Sequence, residues 1–437
     1  MRASWADGTV PLRRHRPFVL LCGEQVASSV GRQITALALT LLAVTDLGAG
    51  PFGAAALLAL TYLPGAVLSP LAGAIADRIR LRRLLVWVTT LQTLVVGSIP
   101  LAGAVGHVTL AHLYVVAGVS GTLTFTLSVA LQAALPRVVG PERLLAANSA
   151  LTAARTSGQV GGPALGGVMV GLLGADAALL AGSAAYAIEA LFLFALPAAL
   201  DALTGSRVPA RAKSLVGSLR TGLAVVRAER RLRRMVLAGA GLNLGSGAAA
   251  ALYVFYATRD LALPAWQLGT TYAAYSAATL AGALLAGRFA RTSGLWRATQ
   301  IFGLAAGAAV FLIPAASLGL AFPVLFAYQV CYGLSGTVWM ISMTTTQQLV
   351  TPDGMQGRVA GLVQAVLLTT VPVGALAGGA LAAWLGNVPI LMGAAAVTLL
   401  SAATLWAPTG AGVTVPERAP WTRRRRAAAS YLRRPPV

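Results

Sequence analysis

Long apolar segments alternate with short polar segments along most of the chain. A membrane-spanning α-helix requires about 20 predominantly apolar residues, and twelve of the apolar segments reach roughly that length. The pattern therefore predicts an all-α membrane protein with 12 transmembrane helices. The predicted spans are residues 18–44, 52–76, 84–105, 109–135, 145–173, 177–200, 235–257, 266–289, 297–315, 321–349, 358–385 and 388–407.

The longest polar stretch between two spans separates six spans from six. Its second part, from Ser214 to Arg234, places leucine and valine between arginines. That spacing is typical of an amphipathic helix on the membrane surface, and a solvated linker fits the same residues. The predicted divisions are a cytoplasmic N-terminal arm (1–17), an N-terminal six-helix half (18–200), a cytoplasmic central loop (201–234), a C-terminal six-helix half (235–407) and a basic cytoplasmic tail (408–437).

The charges of the chain predict its orientation in the membrane. The chain carries 33 Lys and Arg against 12 Asp and Glu, a net charge of +21. If both termini are cytoplasmic, 30 of the basic residues lie on the cytoplasmic side and only Arg259 lies outside. Because basic loops stay cytoplasmic, we expect a multi-pass plasma membrane protein with both termini inside. The basic surface then faces anionic lipid headgroups of the bilayer, and no nucleic acid partner is predicted.

The loop between spans 2 and 3 gathers charge between two apolar runs. Its residues Gly73, Asp77, Arg78, Arg82 and Arg83 resemble the loop motif of the major facilitator superfamily. The resemblance implies a fold of two pseudo-symmetric six-helix halves. It also implies that Asp77 lies against span 11 and takes part in gating. A charge that only directs membrane insertion is the alternative.

A glycine-rich motif lies in span 5. Gly158, Gly162, Pro163, Gly166 and Gly167 match the span 5 motif of drug and metabolite exporters of that superfamily, and the flanking residues resemble its branch of enterobactin exporters and macrolide efflux proteins. Glycines at this spacing form a groove for a neighbouring helix, and the proline permits a bend. Ordinary packing of small residues is the alternative interpretation.

The same glycine spacing recurs in span 11. Gly374-x-x-x-Gly378-Gly379 repeats the spacing of the last three glycines of the span 5 motif. Internal repeats related by an axis along the membrane normal are typical of this superfamily. The repeat therefore supports two halves built on one plan.

Four charged residues fall inside predicted spans. Charges within the membrane are costly and by default indicate function. Glu24 is the best candidate to accept a proton, although it lies near enough to the inner edge to reach the interface. Arg155 and Glu189 lie at similar depth on consecutive spans, so a structural pair is predicted for them. The complete set of candidates is Glu24, Arg32, Arg155 and Glu189.

The resemblance implies that spans 1, 4, 7 and 10 line a central cavity. These spans carry aromatic and amide side chains, a combination that suits a bulky amphipathic organic molecule. For any one of these residues, packing between helices is the simpler interpretation. No charged cluster is predicted in the cavity, which argues against phosphate esters and dicarboxylates. The candidates are Gln25, Gln33, Tyr114, Phe125, Asn243, Tyr253, Tyr256, Tyr328, Gln329, Tyr332 and Trp339.

These features together predict a secondary active transporter. No phosphate-binding loop, catalytic arrangement, cofactor site or metal-ligand spacing is present in the sequence. We expect proton-coupled efflux of a hydrophobic small molecule by alternating access, without an obligate protein partner. Span 4 lacks the arginine that many proton-coupled relatives carry. The alternatives are a siderophore or lipid exporter of the same fold, and a membrane sensor that does not transport.

Overall fold

The computed structural model describes residues 11–68, 81–140, 143–197, 223–351 and 356–406. The elements of these residues are helical, and no strand occurs in the ranges just given. The N-terminal arm up to residue 10, most of the central loop and the basic tail lie outside the described residues. The predicted amphipathic segment, Ser214 to Arg234, is divided: its first nine residues lie outside the described residues, whereas residues 223–228 and 230–234 are helical.

Twelve successive helices follow the order of the predicted spans in the described part of the chain. This confirms the predicted fold class. Their bounds are α1 (Arg16–Thr45), α2 (Pro51–Leu68), α3 (Leu81–Ala104), α4 (Leu110–Val139), α5 and α6 (the two arms of Leu144–Phe194), α7 (Arg230–Phe255), α8 (Ala265–Ser293), α9 (Leu295–Ala309), α10 (Ala321–Val350), α11 (Gln356–Leu385) and α12 (Asn387–Ala403).

Three helices depart from a simple rod. α5 and α6 form one helical stretch that turns at Gly174, whose φ of 86° breaks the helix; glycine adopts such a φ without steric cost. α7 continues as a π-helical turn, Tyr256–Asp260. α9 continues through the short segments Leu312–Ala315 and Ala316–Leu318.

Nine helical stretches among the described residues are long and apolar enough to cross a membrane, and one of them is the stretch that contains both α5 and α6. α2 and α8 are not among them. α8 is of full length but carries tyrosine, threonine and serine in its first three turns. A helix with this many polar positions is best accommodated where it borders protein or water rather than lipid alone.

The twelve helices pack as two similar halves. In the first half α1 packs against the stretch of α5 and α6, and in the second half α7 packs against α11 and α12. The two halves meet where α2 packs against α11 and where α8 packs against α5. The equivalent pairs in the two halves follow the predicted internal symmetry.

The glycines of the α5 motif lie where two helix backbones approach closely. A Cβ atom on Gly158 would come within 2.5 Å of the Ser29 Cβ on α1, and one on Gly162 within 2.7 Å of the Gln33 Cβ. A Cβ atom on Gly167 would come within 2.5 Å of the Gly269 Cα on α8, in the other half. The motif therefore forms a groove on both sides, first for α1 and then for α8.

The corresponding glycines of α11 repeat this arrangement. Added Cβ atoms on Gly374 and Gly378 would meet Leu244 and Ala248 of α7, and one on Gly379 would meet α2 of the first half at Ala55. Gly167 and Gly379 are thus equivalent residues at the two contacts between the halves. The repeated spacing has a structural reason, because each half uses it both internally and against the other half.

Among the described residues, the two halves share an apolar cluster at one end of the bundle, and the apolar clusters at the other end stay within one half each. We call the end where α1, α3, α5, α7, α9 and α11 begin the basic end, and the other end the opposite end. One apolar cluster includes residues from both halves, among them Leu42 and Leu252 near the opposite end. Toward the basic end one cluster contains only first-half residues such as Leu85, and another contains only second-half residues such as Met343. This distribution describes a bundle closed at the opposite end.

Arg259 reinforces this closure. Its Nε donates a 3.1 Å hydrogen bond and its Nη2 a 2.5 Å hydrogen bond to the carbonyl oxygen of Val44. Nη2 also donates to the carbonyl oxygen of Thr45 at 3.4 Å. These carbonyls belong to the last turn of α1, where unpaired acceptors and the helix dipole favour a cation. Arg259 therefore links the ends of α1 and α7 across the two halves.

Candidate functional site

Glu24 is a fully buried carboxyl group on α1. It is 0% exposed, and its two oxygens accept hydrogen bonds of 3.2 and 3.0 Å from Nε2 of Gln25. It lies eight residues beyond Arg16, about 12 Å along the helix. The sequence left open whether Glu24 reaches the membrane interface; its complete burial shows that this alternative is wrong.

Glu189 on α6 is a second buried carboxyl group. It is 1% exposed, and neither of its oxygens has a hydrogen-bond partner within the described ranges. An ionised carboxylate in such surroundings carries a large desolvation cost. The group borders a small space of about 180 Å³, open side included, between α1, α3, α4 and α6. Its polar lining residues are Ser28, Thr89, Gln92, Thr124, Tyr186 and Glu189.

The predicted pair of Arg155 and Glu189 is not formed. Both oxygens of Glu189 are without a partner, and the side chain of Arg155 is exposed. Equal depth along two helices does not determine the direction of their side chains. Arg155 lies three residues before Gly158 and so shares the side of α5 that faces α1, whereas Glu189 points from α6 toward Ser28.

Arg32 lies beside the two buried carboxyl groups. Its Nη1 donates to Ser28 Oγ at 3.3 Å and its Nη2 to Ser29 Oγ at 3.1 Å. These bonds direct the guanidinium back along α1, toward the level of Glu24. Electrostatic interactions link Arg32 with both Glu24 and Glu189. The two acids thus share one nearby cation without forming an ion pair with it.

Arg32 also takes part in a group of cationic and aromatic side chains on the side of Arg155. Electrostatic interactions connect Arg32 with Arg155 and connect both arginines with Tyr62 on α2. Tyr62 is 40% exposed. The expectation that no charged cluster lines the cavity stays a prediction. Arg155 belongs to span 5, which was not among the spans expected to line the cavity.

Five tyrosines form a continuous aromatic cluster in the second half. The ring centroids of Tyr253 and Tyr272 are 5.7 Å apart, edge to face, and those of Tyr253 and Tyr328 are 5.6 Å apart. Tyr328 stacks on Tyr332 at 5.5 Å, and Tyr332 stacks on Tyr275 at 6.5 Å. We refer to these residues, from α7, α8 and α10, as the tyrosine cluster. Such geometries are favourable for aromatic pairs.

Tyr62 of the first half interacts electrostatically with Arg32 and Arg155 and with Tyr275, a member of the tyrosine cluster. The sequence named Tyr253, Tyr328 and Tyr332 as cavity candidates. Tyr253 and Tyr328 are buried in the apolar cluster that both halves share, and Tyr332 is partly buried. The sequence did not name Tyr62 or the two tyrosines of α8. The low hydropathy of α8 was the available signal, because an apolar span that faces lipid has no need of these hydroxyl groups.

Other predicted cavity residues of the second half have structural contacts. Tyr256 is buried, and its hydroxyl donates to the Pro314 carbonyl oxygen at 3.4 Å. Asn243 Nδ2 donates to the Leu367 carbonyl oxygen at 3.2 Å. Trp339 packs against Gly303 of α9. Gln329 is also buried, beside Tyr253 of the tyrosine cluster, whose hydroxyl hydrogen-bonds Thr271 at 2.9 Å.

The predicted cavity residues of the first half also pack against neighbouring helices or support a neighbour. Gln25 donates to Glu24, and Gln33 fills the groove at Gly162. The rings of Tyr114 and Phe125 lie against Gly53 and Gly65 of α2, respectively. All four side chains are partly buried, which fits the packing interpretation that the sequence left open for individual residues.

Arg82 is the residue of the loop motif whose contacts are best defined. Gly73, Asp77 and Arg78 lie outside the described residues, so the gating role of Asp77 stays a prediction. Arg82 Nε donates to the Leu196 carbonyl oxygen at 2.7 Å, and its Nη2 donates to the Phe194 carbonyl oxygen at 2.6 Å. Its guanidinium carbon lies 5.3 Å from the Phe194 ring centroid. Arg82 thereby caps the end of α6 from the start of α3.

Arg82→Met is expected to destabilise the first half. The change leaves two carbonyl groups at the end of α6 without their charged donor, at a cost of about 1–2 kcal/mol. The apparent melting temperature of the purified protein measures this loss. Arg288→Met, at an exposed position of α8, is the matched control. Equal melting temperatures for the two variants would contradict the capping role.

The chain resembles known membrane transporters along most of its length. Residues 24–369 match the family model described as Major Facilitator Superfamily. The chain is 26% identical over 393 residues to the uncharacterized MFS-type transporter YfiS of Bacillus subtilis (strain 168), covering 86% of this chain and 88% of YfiS. It is 28% identical over 406 residues to the uncharacterized MFS-type transporter y4rN of Sinorhizobium fredii (strain NBRC 101917 / NGR234), covering 90% of this chain and 95% of y4rN.

Solved structures share the fold at lower identity. The nucleoside transporter NupG superposes with a TM-score of 0.66 at 14% identity, covering 90% of this chain and 98% of NupG. A bacterial homologue of the iron transporter ferroportin, in an inward-facing state, superposes with a TM-score of 0.65 at 17% identity, covering 90% of this chain and 98% of the homologue. At these identities the likeness concerns the fold alone.

Proposed function

The chain belongs to the Major Facilitator Superfamily, and on that premise we propose that it exports a hydrophobic small molecule in exchange for protons. That it is a multi-pass membrane transporter follows from the family match and the transporter relatives. The proton coupling, the direction and the substrate are our proposal. The observation that carries the proposal is the pair of buried carboxyl groups, Glu24 and Glu189, inside the first half.

The surroundings of this pair suit a site that takes up and releases a proton. Two buried carboxylates close to one another repel when both are ionised, and one proton removes that repulsion. The charged groups that face Glu189 are Glu24 and Arg32, both on α1. The residues of α3 and α4 that line the same space are uncharged. A change in the position of Arg32 during the transport cycle therefore alters the proton affinity of the pair. This links the proton to alternating access.

The central space supports a substrate with a large apolar body. Tyr272, Tyr275 and Tyr332 of the tyrosine cluster are only partly buried and offer aromatic surface. Among the described residues the halves share no apolar cluster at the basic end. Because basic loops remain in the cytoplasm, the basic end is assigned to the cytoplasm and the closed end to the exterior of the plasma membrane. Loading from the cytoplasm agrees with export.

Efflux of a fluorescent lipophilic dye tests this function. The purified full-length chain is reconstituted in liposomes, and dye movement is followed with and without an imposed pH gradient. We expect gradient-dependent movement at least about tenfold faster than in protein-free liposomes, abolished by a protonophore. Equal rates of dye movement with and without the pH gradient would contradict proton coupling.

The same assay separates the alternative functions. Siderophore and lipid exporters of this fold are tested by replacing the dye with a catecholate siderophore or a fluorescent phospholipid. If the siderophore or the phospholipid is transported and the dye is not, the proposed substrate class is wrong and the transported compound indicates the correct class. A sensor that does not transport would bind ligands but move none of them, and that result would overturn the proposal as a whole.

A further inference from the structure

We propose that the substrate carries an anionic group, held by Arg155 and Arg32 while its aromatic or apolar body lies on the tyrosine cluster. This inference rests on the proposed transport function and narrows its substrate class. It begins from Arg155, whose guanidinium is neither part of the acid pair nor at a membrane surface.

Arg155 lies near the middle of the membrane without a compensating charge. It is 11 residues beyond Leu144, about 17 Å along α5. Its side chain is exposed, and the charged residue that interacts with it is another arginine, Arg32. Within the described residues no carboxylate forms an ion pair with Arg155. Two neighbouring guanidinium groups at this depth are costly, and an anion placed between them removes that cost.

The geometry of Arg32 leaves part of its guanidinium free for such a ligand. Nη1 and Nη2 each donate one hydrogen bond, to Ser28 and Ser29 of the same helix. A guanidinium has five N–H donors, so further donors remain for a carboxylate or phosphate oxygen. The planar fork of arginine matches both groups. Arg32 and Arg155, from α1 and α5, can therefore hold an anion together.

The opposite wall is neutral and aromatic. Tyr62 connects the arginines with Tyr275, the member of the tyrosine cluster within its electrostatic reach. The partly buried Tyr272, Tyr275 and Tyr332 provide aromatic surface and hydroxyl groups without formal charge, and the buried Tyr253 and Tyr328 support them from behind. A site with two cations on one wall and stacked rings on the other selects an amphipathic anion. It discriminates against dicarboxylates without an apolar body, and against organic cations.

Export agrees with this charge. An anion that leaves a cell with a negative interior moves in the direction that the membrane potential favours, and so does a proton that enters. Exchange of one for the other is therefore driven by both the pH gradient and the potential. A neutral substrate exchanged for a proton would respond less strongly to the potential.

Equilibrium binding tests the inference independently of transport. The probes are naphthalene-2-carboxylate and its neutral counterpart naphthalene-2-carboxamide. Binding to the full-length chain is measured by calorimetry in phosphatidylcholine nanodiscs, which contain no anionic lipid. We expect the carboxylate to bind at least about tenfold more tightly than the amide, a difference that one well-placed charge contact supplies.

Variants assign the preference to the arginines. Arg155→Gln is expected to remove about tenfold of carboxylate affinity and to weaken amide binding much less, whereas Arg155→Lys keeps most of the preference. Arg288→Gln, at an exposed position of α8, is the matched control. If the wild-type chain binds both probes equally, or if Arg155→Gln keeps the preference, the inference is overturned.

The binding result is separable from the proposed function. If the carboxylate binds preferentially but no pH-driven flux is observed, the result supports the anion site and contradicts proton coupling. If a neutral dye is transported but the two probes bind equally, the result supports the transport function and contradicts the anion site. An apparent melting temperature equal to that of the wild type shows that the Arg155→Gln variant is folded.

Discussion

Glu189→Gln and Glu24→Gln are each expected to abolish transport driven by a pH gradient, a fall of at least about tenfold, while substrate exchange without a gradient continues. Both carboxyl groups are buried, and the oxygens of Glu189 have no partner among the described residues. A glutamine keeps the shape of the side chain but cannot gain or lose the proton. Substrate binding does not depend on that proton transfer.

Two flux measurements on the same liposomes check this prediction. The first follows uphill movement of the dye under an imposed pH gradient, and the second follows exchange of labelled for unlabelled dye at equal pH. The control variant is Asp46→Asn, an exposed acid just after α1. If Glu189→Gln retains normal uphill transport, the proton site lies elsewhere; if it loses exchange as well, the residue has a structural role.

Gly167→Leu is expected to stop transport almost completely, whereas Gly161→Leu leaves it within about twofold of the wild type. A Cβ on Gly167 would come within 2.5 Å of both the Cα and the carbonyl oxygen of Gly269, and backbone atoms cannot move aside as a flexible side chain does. Gly161 lies in the same motif, but no atom lies within 4 Å of its added Cβ. The two variants therefore introduce the same side chain at two positions of α5, and only one of these positions contacts the other half.

The physical reason is the closure of the opposite end. Gly167 and Gly269 belong to different halves, so a side chain there obstructs their approach without disrupting the core of either half. Maleimide labelling of a cysteine placed at Ala257, a buried residue at the closed end, reports that approach once Cys22 and Cys331 are replaced by alanine. Labelling should increase in the Gly167→Leu background. Normal transport by this variant would refute the role of the contact.

The helices themselves were largely predictable from the sequence. The span predicted at residues 321–349 corresponds to Ala321–Val350, and the span predicted at 84–105 to Leu81–Ala104. Helices of this kind satisfy their backbone hydrogen bonds internally and require only a sufficient apolar length, so a local pattern is enough to identify them. The helix break at Gly174 lies in the short connection that the sequence predicted between spans 5 and 6, because it falls between two apolar runs.

The glycine motifs show which features the sequence predicts and which features only the tertiary structure reveals. Their spacing in the sequence predicted a groove and an internal repeat. The partners of the groove, α1 and α8 for the motif of α5, came only from the tertiary structure. A small residue permits close approach from any direction, and only the packed helices decide which backbone fills the groove.

The sequence predicted which residues carry charge inside the membrane, but it did not predict how these residues are arranged around one another. The sequence identified the four intramembrane charges, but it paired Arg155 with Glu189. In the structure Glu189 borders a small space lined by residues of α1, α3 and α4, and Arg155 is exposed on the side of α5 that packs against α1. Residue spacing sets depth to within a turn, but the rotation of each helix about its axis depends on the packing of its neighbours.

The sequence by itself therefore determined the all-helical membrane fold, the positions of its spans, the excess of basic residues at one end and the set of charges inside the membrane. These properties depend on local composition and on the low polarity of the bilayer. The tertiary structure alone decided that the halves share an apolar cluster at the opposite end, that Glu24 and Glu189 are both buried in the first half, and that five tyrosines of α7, α8 and α10 form one cluster. Those relations join residues far apart in the chain, and they arise only when the helices pack against each other.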